Sequence, residues 1–155
     1  MLRRSCLLLL VALMFLSFPA VSGAGGGNIL ELITAEEAAS PELPPSALHI
    51  EAALSEDGPT VDVLTPKNGK PYKPPVEISI RFIPKEGRDI DLSTLRVEYL
   101  KFITIDLTKR VRPYVSKKGI EIPETSLPSG THTIRLTIGD VSGSMTRRIF
   151  YVKVL

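Results

Sequence analysis

Val76-Glu77-Ile78-Ser79-Ile80-Arg81-Phe82 alternates apolar and polar residues without a break. Successive side chains of a strand point to opposite faces. Val76, Ile78, Ile80 and Phe82 therefore share one face, and Glu77, Ser79 and Arg81 the other. The same period of two returns three times. Leu95, Val97 and Tyr99 alternate with Arg96 and Glu98; Ile134, Leu136 and Ile138 with Thr133, Arg135 and Thr137; Phe150, Val152 and Val154 with Tyr151 and Lys153. Val61–Leu64, Val111–Val115 and Gly119–Ile122 are shorter candidates. Together they predict about seven strands, each with one face in a core and one in water.

Turn chemistry separates these runs. Lys67-Asn68-Gly69 follows the first, Lys85-Glu86-Gly87 the second, and Pro128-Ser129-Gly130 precedes the sixth. Asp140-Val141-Ser142-Gly143 joins the last two as a hairpin. No long helical period lies between them, so the expected fold is an all-β antiparallel sandwich. Pro66, Pro71, Pro74 and Pro75 crowd the exit of the first strand. Proline cannot donate to a ladder, which places that segment at a sheet edge.

Pro66…Asn68-Gly69…Pro75-Val76-Glu77-Ile78 opens this region, and Leu127 through Leu136, Asp140…Gly143 and Phe150-Tyr151-Val152 close it. On these residues, 59–155 resembles the bacterial immunoglobulin-like domains. The resemblance implies an immunoglobulin-like β-sandwich and no chemistry. The disulfide and core tryptophan of antibody domains have no counterpart: the chain has no Trp, and its single cysteine is Cys6.

Residues 1–24 read as a secretory signal peptide: Arg3 and Arg4, an apolar stretch from Cys6 to Phe18, Pro19, then small residues to Ala24. The expected location is periplasmic or secreted, with an uncleaved anchor as the alternative. Nothing after Ala24 approaches the ~20 apolar residues that span a bilayer. The chain has 19 Lys+Arg and 17 Asp+Glu, and Arg3 and Arg4 leave with the signal, so the mature balance is 17 against 17. That excludes a global electrostatic case for nucleic acid. Residues 25–58 read as a flexible linker, with one helical turn marked by the capping box Thr34-Ala35-Glu36-Glu37. With Leu30, Leu32 and Ile33 before it, this turn reads as a frayed tether, with a short partner-binding segment as the alternative.

Few residues offer chemistry. His132 shares parity with Ile134 and Leu136 and so faces inward; the resemblance implies a structural corner residue there, in the place of a tyrosine that such domains often carry; a metal or acid–base role needs partners, and the other histidine, His49, lies in the linker. Asp89, Asp91, Asp106 and Asp140 read as turn caps rather than as a calcium loop or a glycosidase pair. Lys109, Arg110, Arg112, Lys117 and Lys118, with Tyr114 among them, form a basic segment. Ile149 and Tyr151 lie on the outward parity of the last strand. These two groups are the candidate interaction surfaces. No catalytic residue, cofactor or metal site is expected. The expected function is an exported, non-enzymatic accessory module that binds a protein or a cell-envelope polymer. Its alternatives are a carbohydrate-binding module, which predicts an aromatic platform, and a periplasmic metal carrier or small hydrolase, which predict clustered histidines or paired acids.

Overall fold

The computed structural model describes residues 29–47 and 57–155. The expected signal peptide and His49 lie outside the described residues. Among the described residues ten strands are present: β1 (Leu30–Glu31), β2 (Thr60–Thr65), β3 (Pro71–Tyr72), β4 (Val76–Ile83), β5 (Ile90–Tyr99), β6 (Ile105–Asp106), β7 (Val115–Ser116), β8 (Gly119–Ser126), β9 (Gly130–Asp140) and β10 (Met145–Val154). Helix α1 covers Ala35–Ala39, and α2 covers Thr108–Val111. The strands form two five-stranded sheets. The first runs β1-β8-β4-β2, with β7 also on β8; the second runs β3-β10-β9-β5-β6.

The period-two runs meet face to face. Ile78, Ile80, Phe82, Ile120 and Ile122 of the first sheet pack on Leu95, Val97, Ile134, Leu136, Ile138, Phe150 and Val152 of the second. All are buried. Each such side chain removed from water stabilises the fold by roughly 1.5–3 kcal/mol, so the sandwich rests on this layer and on no cross-link. The Asp140 hairpin forms as the sequence implies. Asp140 Oδ1 accepts from the Ser142 N–H, the Ser142 hydroxyl and the Ser144 N–H, while Gly143 takes φ +85°. The proline-rich segment lies at sheet edges: β2 ends the first sheet and β3 ends the second.

Three expectations need correction. The segment Val111–Val115 is not a strand. The Asp106 carboxylate accepts from the Thr108 N–H at 2.7 Å and starts α2, which runs into a 3-10 turn at Arg112–Tyr114. Pro113 has no N–H to give a ladder, and pairing resumes only at Val115–Ser116. The sheets are also not purely antiparallel: β1 pairs with β8, and β3 with β10, in parallel. Both exceptions are two-residue strands brought in by long connections, which parallel pairing permits.

The third correction concerns the linker. Within its described part Leu32 and Ile33 are each 1% exposed and belong to the main core, while Pro41, Glu42, Pro44, Pro45 and Ser46 are exposed. The capping box forms, Thr34 Oγ1 accepting from the Glu37 N–H and Glu37 Oε2 from the Thr34 N–H. Arg110 of α2 donates to both Glu37 oxygens at 2.7 Å and to the Leu32 carbonyl at 2.8 Å. Lys101, buried beyond β5, donates to the Ala38 carbonyl and pairs with Glu42.

Candidate functional site

The outer face of the second sheet gathers charge that the sequence scatters. Strand register sets Arg96, Thr137 and Arg147 in one row across β5, β9 and β10, then Glu98, Arg135 and Ile149 in the next, with Thr133 beside Tyr151 beyond them. Neighbouring strands lie ~4.8 Å apart, so the backbones bearing Arg96 and Arg147 are roughly 10 Å apart. Arg135 donates from Nε to Glu98 at 2.9 Å. Between the rows lies a shallow depression of about 560 Å³, edged by Ser93, Thr94 and Met145. Gly139 faces Met145 across the pair, and a Cβ there would stand 2.5 Å from the Met145 sulfur. The Met145 side chain fills the space that a side chain at Gly139 would need.

This face continues past Ser93 and Arg96 to Lys109 and Arg112, which line a second hollow with Asp106. Hydrogen bonds from Thr108 hold the Asp106 carboxyl below the usual aspartate range, helped by the charges of Arg96 and Lys109. Arg96, Lys109, Arg112, Arg135 and Arg147 stand here against Glu98 and Asp106. The surface carries five cationic side chains against two acidic ones.

The structure divides the basic segment read from the sequence. Lys109 and Arg112 join the sheet face, and Arg112 also donates to the Leu92 carbonyl at 3.0 Å. Arg110 turns the other way and holds the arm. Tyr114 is half-buried against the core. Lys117 pairs with Asp89 at 3.0 Å, and with Lys118 lines a separate hollow beside Arg81 and Phe82. Ile149 is half-buried and Tyr151 exposed, both on the cationic face.

His132 is buried at the sandwich corner. Its Nε2 lies 2.8 Å from the Pro128 carbonyl, which only accepts, so Nε2 carries the proton. Nδ1 is then left to accept the Tyr99 hydroxyl at 3.1 Å. Burial lowers the imidazole's proton affinity, partly countered by Pro128. Burial likewise raises the Tyr99 phenol, against the pull of Lys101, whose ammonium lies 5.3 Å from the ring centre. Both imidazole nitrogens have partners, which leaves neither to act as a base or a ligand. No group of three or more His, Cys, Asp or Glu side chains able to hold a metal occurs among the described residues.

Asp91 caps Ser93, Asp106 caps Thr108 and Asp140 caps Ser142. Hydrogen bonds from Ser142, with Arg88 beside them, hold the Asp140 carboxyl at about 2. Sequence reading missed two features. Arg96 and Arg135 show outward parity, but only cross-strand register sets them beside Arg147. Phe102 and Ile103 form an exposed loop tip, at 67% and 76%; the loop runs beside the arm, with the Phe102 N–H on the Pro41 carbonyl.

No protein-family model matches the chain, and no curated protein matches it. Among solved structures it is similar to an engineered protein, at 17% identity and a TM-score of 0.41. The likeness covers 63% of this chain and 20% of that one, so the chain spans about a fifth of the engineered protein's length. No described helix is long and apolar enough to cross a membrane.

Proposed function

We propose that this chain is an exported, non-enzymatic interaction module of the immunoglobulin-like type, and that its cationic sheet face binds an anionic polymer of the cell envelope. One observation carries the reading: the Arg96–Thr137–Arg147 row with Arg135 in the next row, on an open and nearly flat sheet face. Guanidinium groups favour carboxylate and phosphate because their planar donors match those anions in pairs. A run of such groups at roughly 5–10 Å spacing suits a chain carrying repeated anions. Between the charges the Ser93 and Thr94 hydroxyls are already given to Asp91, so the guanidinium groups are the donors that matter. An enzymatic reading finds less support, since His132 is committed at both nitrogens and the loop acids cap turns.

The test is co-sedimentation of the mature chain with immobilised polygalacturonate, with neutral dextran as control. Binding is expected to polygalacturonate alone, to weaken with added salt as screened charge contacts do, and to fall at least tenfold in Arg96→Glu and Arg147→Glu. Equal retention on both polymers, or retention unchanged by the charge reversals, would overturn the proposal.

A further inference from the structure

The side of the sandwich opposite the arm carries a groove beside a sheet edge. Here β2 ends the first sheet, and no described strand pairs with its outer edge. The direction of its backbone groups follows from its neighbour. The Phe82 N–H donates to the Lys118 carbonyl, toward β8. Alternate residues of a strand point their backbone groups to opposite sides. Ile83 and Arg81 therefore face β2, where they pair with Thr60 and Asp62. Val61 and Val63 then direct their N–H and C=O groups away from the sheet. Pro59 and Pro66 bracket this edge.

Beside the edge lies a groove of about 430 Å³ between β2 and β10, lined by Pro59, Val61, Asp62, Ile83, Thr146 and Arg148. Thr146 is 5% exposed, and its hydroxyl is buried without a hydrogen-bond partner. Buried hydroxyls are nearly always satisfied. An unsatisfied one on a groove wall, next to backbone that no described strand pairs, marks a place where a donor or acceptor is missing.

We propose that this groove receives an extended peptide from a partner protein, which adds a strand to β2 and turns a serine, threonine or asparagine side chain inward onto Thr146. Backbone bonds to Val61 and Val63 supply the attachment, and Thr146 supplies the choice of side chain, as in other recognition by strand addition. A second copy of this chain fits the edge less well. The register that pairs Val61 with Val63 of the other copy opposes Asp62 to its own counterpart, and like charges directly opposed destabilise a pair. The irregularity between Val63 and Thr65 breaks the register that would centre further along. The fold already extends the same sheet in this manner at its other end, where β1 lies on β8.

The experiment follows amide exchange and chemical shifts of the isotope-labelled mature chain while a short capped peptide of alternating valine and serine is added. Saturable shifts, with slowed exchange at Val61 and Val63, are expected. Val63→Pro deletes only an outward N–H, which an edge strand tolerates, and should weaken the peptide at least tenfold. Thr146→Val should weaken it at least fivefold and leave the thermal midpoint of the free protein unchanged or higher. Absence of shifts at millimolar peptide, or equal binding by both variants, would overturn the proposal. Protection that grows with protein concentration alone would replace the peptide with a second copy. Polygalacturonate binding should be the same in both variants, so this result and that of the cationic face stand apart.

Discussion

The two long sides of this sandwich are finished differently. On one side, between β8 and the β5–β6 region, the arm inserts Leu32 and Ile33 into the core, and two cations, Arg110 and Lys101, hold it there. On the other, β2 and β10 part around a groove that keeps an unpartnered threonine hydroxyl. A sandwich exposes its layer of apolar side chains wherever its sheets separate. The arm covers that layer with the chain's own residues. The opposite side lacks such a cover among the described residues and keeps backbone groups that a strand can use. One side is therefore closed by the chain's own residues, and the other is the edge proposed to take a strand.

The largest expected effect tests whether the arm belongs to the core. Ile33→Ala should destabilise by about 2–5 kcal/mol, like Leu136→Ala in the centre of the sandwich, because both delete buried methyl groups. Urea melts measure both. A cost below ~1 kcal/mol for Ile33→Ala, typical of a surface change, would make the arm an accessory rather than a wall of the fold.

Next comes the arm's polar anchor. Arg110→Ala takes one donor from each Glu37 oxygen, leaving the Thr34 N–H on Oε2, and one from the Leu32 carbonyl, at a cost of about 1–3 kcal/mol. Limited proteolysis should then cut the variant within residues 29–47 faster than the parent, with no change in the rate of cutting near β2. Equal rates would mean that apolar contacts alone hold the arm.

Acid should act on the same side. The hydrogen bonds from Arg110 hold the Glu37 carboxyl at about 2, below its ordinary 4.5. A lowered carboxyl stabilises the fold above its unfolded value, and that contribution is lost as pH falls from about 4.5 toward 2. His132 adds an earlier loss. Its buried imidazole takes a proton less readily than the ordinary 6.5 of the unfolded chain, so the unfolded state binds more protons and stability declines as pH drops below that value. Melts across pH should show both phases. Arg110→Ala should shrink the lower one, to which Asp140 also contributes, and His132→Gln should remove the upper.

The smallest effect belongs to the open side. Thr146→Val removes a hydroxyl that satisfies nothing, so stability should change by less than ~1 kcal/mol, toward greater stability. A clear loss in the urea melt would show that the hydroxyl is bonded in solution and that the groove is as finished as the arm side.

The long strands are legible in the residues because alternation of side-chain chemistry is a local property. Val76–Phe82 and Ile134–Ile138 show their buried faces directly, Asp140 to Gly143 shows its turn, and the prolines after β2 show an edge. Val111–Val115 misleads for the same local reason: its valines suggest a strand, while Asp106 and Pro113 set the backbone otherwise. The capping box at Thr34 is visible in the sequence, but what the helix rests on is not.

What the sequence determined by itself is the sandwich, its inward residues and its edge. Periodicity and turn chemistry act within a few residues, and the chain carries them wherever it goes. What only the tertiary structure decided is contact between distant residues. Register brought Arg96, Arg135 and Arg147 onto one face, packing placed Glu37 against Arg110 across 73 positions, and the parting of two sheets left Thr146 without a partner. Each depends on how strands from opposite ends of the chain come to lie side by side, and no local pattern records that.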